Sequence, residues 1–157
     1  MIPGEYRIYA NYCFTQNGPH VYLHQEALDD SMTVFSRKMS EFFNSGPEEF
    51  YRHPLVTGTL LQYNFVALHP FVDGNGCIGR LLMNTVLLRH GYQPAVIRAK
   101  SKREYFDSLA FADETKDLVP LIQLSLHEAI DFHEFVATLP ADCLKALAGQ
   151  KQPEVIQ

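Results

Sequence analysis

From His69 to Arg80 the chain reads HPFVDGNGCIGR. Apolar residues at helical spacing lead into His69 and resume at Ile78, so the stretch is expected to be a loop held between two helices. Such a loop can handle phosphate. The second helix is expected to begin at about Asn75 to Cys77, and the first amides of a helix lack backbone partners and lie at the positive end of its dipole. Gly74 and Gly76 let those N–H groups approach an oxyanion with no Cβ in the way. Arg80 follows one turn after Gly76 on the same side, where a guanidinium could grip a further phosphate. Asp73 supplies a hard carboxylate oxygen, the ligand type Mg2+ takes when it also binds substrate phosphates. His69, at the mouth of the loop, is the residue type that accepts a proton near neutral pH.

Each member alone has a plainer role. Asp-Gly and Asn-Gly are turn formers, a helix-terminal histidine is commonly hydrogen-bonded to backbone, and an isolated helix arginine is usually solvated. The joint spacing carries the functional reading. Hairpins are the usual home of such dipeptides, but here both flanks are helical in pattern.

The elements that must position this loop can be read outward from it. Pro54 opens a helix with Leu55, Leu60, Leu61, Phe65 and Leu68 inside, and Pro70 forces it to stop near His69. The helix after the loop runs to Gly91, a C-terminal cap. Upstream, β-prone segments at Arg7 to Phe14 and His20 to Leu23 flank Asn17-Gly18, a hairpin turn signal. Asp29 or Asp30 then caps a helix carrying Met32, Phe35, Met39, Phe42 and Phe43, ended by Gly46-Pro47. Pro94 to Ile97 is extended. A helix from Ser101 or Lys102 to Phe111 and a longer one after Asp117 complete a mainly α architecture, with one hairpin and a frayed tail from Gly149.

With 157 residues, 46% hydrophobic and 20% charged, the chain has the composition of one ordinary globular domain. A net charge of -5 gives no general pull toward nucleic-acid phosphates. No stretch reaches the roughly 20 apolar residues that span a bilayer, and MIPGEYRIYA at the start lacks the basic and apolar regions of a signal peptide. Cys13, Cys77 and Cys143 form no Cys-x-x-Cys pair, which fits a reducing, cytoplasmic setting.

The loop resembles the signature of the Fic domain family, His-Pro-Phe-x-Asp-Gly-Asn-Gly-Arg-x-x-Arg, at every fixed position but one. The likeness extends to Gly4-Glu5-Tyr6-Arg7, His53-Pro54, Leu81-Leu82-Met83-Asn84, Gly91-Tyr92-Gln93-Pro94 and Tyr105-Phe106. It implies a Fic-type helical bundle with a short β-hairpin flap over residues 1–140, and residues 141–157 as a tail. It also implies a protein adenylyltransferase that moves AMP from ATP, with Mg2+, to a Ser, Thr or Tyr hydroxyl of a target protein. By the same resemblance His69 is the base, Asp73 holds the metal, and Phe71 fixes the loop in the core. Gly74, Asn75 with its side chain, and Gly76 stabilise the α-phosphate. Arg80 holds the terminal phosphates, Phe106 and Asp113 contact adenine, and the hairpin near Asn17 docks the target. Members of the family often form homodimers.

The chain departs from the pattern at Cys77, where the family has its first motif arginine. A thiol cannot make the charge-assisted phosphate contact of a guanidinium. A second reading therefore stands beside the first: a catalytically impaired Fic-fold module that binds nucleotide or protein. As a nucleophile, Cys77 is too close to Arg80 for the phosphatase spacing. The family's inhibitory pattern of Ser or Thr, three residues, then Glu followed by Gly or Asn is not found before the motif or in the last helix, and Tyr22 and Leu23 stand where paired prolines often follow the flap. His127-Glu128-Ala129-Ile130-Asp131 lacks the second histidine of a zinc-protease helix; His127, Asp131 and Glu134 are expected to form a solvated face. Lys100, Lys102 and Arg103 are a weak phosphate signal.

Overall fold

A computed structural model of the chain describes residues 4–15, 18–44 and 53–140. Strand β1 (Tyr12–Thr15) pairs antiparallel with β2 (Gly18–Val21), Tyr12 opposite Val21. Five helices follow: α1 (Leu28–Asn44), α2 (Pro54–Leu68), α3 (Asn75–Arg89), α4 (Lys102–Thr115) and α5 (Val119–Ala137). The bundle is mainly α, as its periodicity implies. Asn17, the Gly46-Pro47 stop and the tail from residue 141 lie outside the described residues.

Helix α2 is the axis of the bundle. It packs on α1, α3 and α5, so it must be apolar on nearly all sides. Its closest partner is α3, and two glycines set the distance. A Cβ on Gly58 would meet the Met83 carbonyl oxygen at 3.0 Å, and one on Gly79 would meet Val66 Cγ2 at 3.0 Å and the Gln62 carbonyl at 3.3 Å. Gly58 against Met83 and Val66 against Gly79 means the helices run antiparallel, which is what the short loop between them requires.

Three buried clusters lock the pair in place. Leu55, Met83, Leu87 and Ala95 close one end. Tyr105, Leu109, Leu121 and Leu124 bring α4 and α5 onto α2 through Tyr63 and Val66. Leu28, Met32 and Phe65 gather Phe71, Ile78 and Leu82 under the loop. Phe71 thus anchors the loop in the core, its ring 6.3 Å from that of Phe65; burying such a side chain contributes about 2 kcal/mol.

Several boundaries differ from expectation: β1 starts at Tyr12 and not Arg7, and β2 takes in Gly18, expected in the turn, and ends at Val21. Helix α1 begins at Leu28, behind a 3-10 turn at Gln25–Ala27, because Leu28 itself is buried and must face the core. Helix α4 continues past Phe111 to Thr115 because Ala112 is fully buried, and Lys116 ends it in the left-handed region. On the face of α5 expected to be solvated, His127 and Glu134 are exposed and the Asp131 side chain is 40% exposed. Asp131 pairs with Arg98 and Lys100, while Glu128, 3% exposed, receives Arg98 Nε at 2.8 Å and the Ser101 hydroxyl. These residues tie the segment before α4 to α5. Arg103 faces Asp107 at 3.7 Å, so two of the three basic residues have carboxylate partners.

Candidate active site

Pro70 cannot donate the next helical hydrogen bond, and α2 ends at His69 in the left-handed conformation, φ 48°. The His69 amide still donates to Phe65 O at 3.1 Å. Its ring lies with Nδ1 3.2 Å from Val66 O. A carbonyl only accepts, so this contact calls for hydrogen on Nδ1. The Tyr22 ring is stacked on the imidazole, centroids 3.7 Å apart and planes 20° from parallel.

The turn after His69 is held from within. Asn75 is 2% exposed, and its carboxamide bonds both ways to Phe71, accepting from the amide at 2.9 Å and donating to the carbonyl at 2.7 Å. The Asn75 side chain therefore serves as the staple of the loop, and its backbone N–H is what it adds to the row of helix-opening amides. Gly74 stands before α3 at φ 82°, a conformation that favours glycine, and offers no capping side chain. The first bond of α3 runs from Ile78 N–H to Gly74 O at 3.0 Å. The amides of Asn75, Gly76 and Cys77 come before it and point out of the helix end. Gly74 N–H is already engaged, donating to Asp73 Oδ1 at 2.6 Å.

These groups open on a cavity of about 850 Å³. His69, Asp73, Gly74, Asn75, Gly76, Cys77 and Arg80 line one side, and Phe106 and Asp113 on α4 line the other. The expected site residues thus come to one place. Arg80 extends over the Tyr105 ring, 5.7 Å from its centroid, and its Nη1 lies 3.2 Å from where a Cβ on Gly76 would be. Cys77 is exposed on the first turn of α3. Phe106 presents a face that is 55% exposed, suited to stacking a planar ring. The carboxylate of Asp113 receives the Tyr63 hydroxyl at 2.9 Å. Burial, then that bond and the charge of Asp113, push the Tyr63 phenol up to about 12.

The sequence pattern that defines the Fic/DOC family matches residues 2–87, more than half of the chain. The chain belongs to the Fic/DOC family. Among related proteins, the Fic chain is 36% identical over 92 residues to a protein named protein adenylyltransferase Fic from Aedes aegypti, covering 59% of this chain and 18% of that one. It is 34% identical over 110 residues to the protein of that name from Drosophila willistoni, covering 70% and 22%. The chain spans less than a quarter of either relative's length. A Fic domain containing signaling protein from Bacteroides thetaiotaomicron superposes with a TM-score of 0.63 at 30% identity, over 86% of this chain and 50% of that one. A Fic family protein from Desulfovibrio desulfuricans gives 0.68 at 28% identity, over 86% and 41%.

Three residues of the Fic site were not singled out as functional from the sequence: Arg7, Tyr22 and Tyr63. Arg7 is 4% exposed, and its guanidinium donates to the carbonyls of His69, Tyr9 and Leu23. A buried arginine in a segment of unassigned structure gives no periodic signal, so only the resemblance around Gly4-Glu5-Tyr6-Arg7 hinted at it. Tyr63 lies on the apolar stripe of α2 and is indistinguishable there from a core aromatic. Among the described residues no helix is long and apolar enough to cross a membrane.

Proposed function

We propose that the chain transfers AMP from ATP to a Ser, Thr or Tyr hydroxyl of a target protein, releasing pyrophosphate. The observation that carries this reading is that His69, its Nδ1 3.2 Å from the Val66 carbonyl, lines the same cavity as Gly76, Cys77 and Arg80.

The acceptor hydroxyl gives its proton to Nε2 as its oxygen attacks the α-phosphorus, and the bond to the β-phosphate oxygen breaks in line. The amides of Gly76 and Cys77 stabilise the charge that grows on the α-phosphate oxygens. Arg80 orients the terminal phosphates, with Tyr105 beneath it limiting where the guanidinium can go. Phe106 and Asp113 take the adenine. Among the described residues no three or more His, Cys, Asp or Glu side chains gather to hold a metal by themselves. A single carboxylate suits Mg2+, which keeps waters and phosphate oxygens as its other ligands. Asp73 would hold the ion, and when bound it would neutralise phosphate charge.

The acidic balance of the chain favours a protein over a nucleic-acid acceptor. The hairpin, with the exposed Tyr12 and Val21 at its base, supports strand addition as the docking mode for the target. The widely spaced cysteines support a reducing, cytoplasmic setting. One observation favours a second reading: Cys77 places a neutral thiol at the mouth of the phosphate cup, which suits a module that binds nucleotide without turning it over.

Labelling of lysate proteins with ATP marked at the α or at the γ phosphate separates the two. Retention of α label alone supports AMP transfer, and retention of γ label would make the chain a kinase. Calorimetric binding of ATP with Mg2+ without any labelling favours the module. His69→Ala is expected to abolish transfer while ATP affinity stays within a few fold, because the base acts on the acceptor.

A further inference from the structure

Tyr22 is the first residue after β2, and its amide donates to Asn11 O at 3.0 Å, so its backbone is tied to the base of the hairpin. Its side chain leaves the hairpin and lies flat on His69, lining the same cavity. His69 also has its Nδ1 contact to Val66 O and the grip of Arg7 on its carbonyl. The Val66 contact favours hydrogen on Nδ1, and a bond at 3.2 Å from one ring nitrogen does not by itself fix the ring plane. A parallel plate 3.7 Å away restricts its tilt. It also has an electrostatic consequence. As the acceptor proton arrives at Nε2 the imidazole becomes a cation, and an aromatic face attracts a cation more than a neutral ring. An interaction that strengthens as the transition state is approached raises the rate and not the affinity.

We propose that Tyr22 is a positioning residue of the transfer reaction, a plate from the hairpin that fixes the plane of the His69 imidazole and stabilises the charge it gains. This rests on the reading of His69 as the base. It also links target docking to catalysis, since a ligand strand added at the hairpin would bear on the element that holds the plate.

Proton NMR of the 157-residue chain tests the stack without any substrate. The His69 ring resonances, identified by their loss in His69→Ala, are expected to be displaced upfield by the tyrosine ring current and to show nuclear Overhauser contacts to the Tyr22 ring. Tyr22→Leu is expected to remove the displacement while the His53 and His90 resonances stay in place. Absence of the contacts in the unaltered chain overturns the proposal, even where Tyr22→Leu does not fold. In the α-labelling assay at saturating ATP, Tyr22→Leu is expected to slow transfer about 3- to 30-fold at unchanged half-saturating ATP. Tyr22→Phe, which keeps the ring face, should recover most of that loss. An unchanged rate in Tyr22→Leu, or a rise in half-saturating ATP alone, overturns the catalytic part. Absence of transfer in every variant defeats the base reading instead, and the NMR result still decides whether the plate exists.

Discussion

Arg7 Nε donates to the carbonyl oxygen of His69 at 2.7 Å across 62 residues of chain. The same guanidinium reaches Tyr9 O at 3.0 Å, Leu23 O, and Leu68 O at 3.4 Å, and the Arg7 amide donates to Pro70 O at 2.9 Å. Burial lowers the Arg7 pKa from its ordinary value, yet a guanidinium stays charged. It sits where the last carbonyls of α2 carry partial negative charge and where His69 takes a left-handed conformation that costs about 1–2 kcal/mol. Arg7 therefore joins the N-terminal segment, the hairpin exit and the end of α2 at one point. Arg7→Met is expected to lower stability by about 2–4 kcal/mol by leaving these carbonyls without a donor. Arg7→Lys should restore only part of it, since an ammonium cannot spread its donors over three segments. Urea unfolding checks both; an unchanged midpoint in Arg7→Met would remove the strut.

Much of this arrangement is legible in the sequence because it is local. The Pro54 start, the Pro70 stop and the turn chemistry around Gly74 fix α2, the loop and α3 from a few dozen residues, and those elements hold most of the phosphate-facing groups. What escaped depends on long-range contact. The match of Arg7 to His69, of Tyr22 to the imidazole and of Tyr63 to Asp113 joins residues that no pattern of period 2 or 3.6 relates. The same limit hides the ion pairs of Asp131, which is partly solvated as its helix implies. Its partners Arg98 and Lys100 lie before α4, on a segment whose path only the fold determines. The Asn75 carboxamide is a subtler case, since its position in the motif is visible but its turn toward Phe71 is not.

Tyr63 and Asp113 give a pH signature at the adenine side. The phenol is pushed up from 10.0 to about 12, by burial first and then by its bond to Asp113. The fold favours the protonated hydroxyl, so its contribution to stability is whole below about pH 10 and is lost as pH rises toward 12. In an alkaline absorbance titration, Tyr63→Phe should delete a phenol that ionises near 12. It should also weaken ATP binding several-fold, because Asp113 loses the donor that orients it. Deletion of a phenol ionising near 10 would mean that the bond does not persist in solution.

Asp131 sets an acid limit. Hydrogen bonds from Arg98 and then Lys100 hold its carboxyl below the usual 3.8. The fold favours the carboxylate, so this contribution is complete above the ordinary value and fades as pH falls below it. Asp131→Asn is expected to lower Tm at about pH 7, and by less once the pH is below the carboxyl's ordinary value. Thermal unfolding at a pH on either side of that value checks the point. An equal Tm difference at the two would mean that packing, and not charge, is what the substitution removes.

Cys77→Arg tests whether the proposed transfer is limited at this position. The Cys77 thiol is exposed at the first turn of α3, one turn before Arg80, and lines the cavity beside the opening amides. Cys77→Arg would put a second guanidinium there. Without nucleotide this should cost a few tenths of a kcal/mol, because a cation at a helix N-terminus opposes the dipole. With ATP present the sign should reverse. The phosphates then supply the opposite charge, and a charge-assisted contact formed in the transition state is worth roughly 10² in rate. The variant should melt slightly lower alone, higher with ATP and Mg2+, and transfer label from the α-phosphate faster than the natural chain. A faster reaction with unchanged ATP affinity would assign the missing contact to the transition state. Tighter ATP binding with no gain in transfer would mean that the cup holds nucleotide without catalysing its transfer, and the nucleotide-binding module would be the better description.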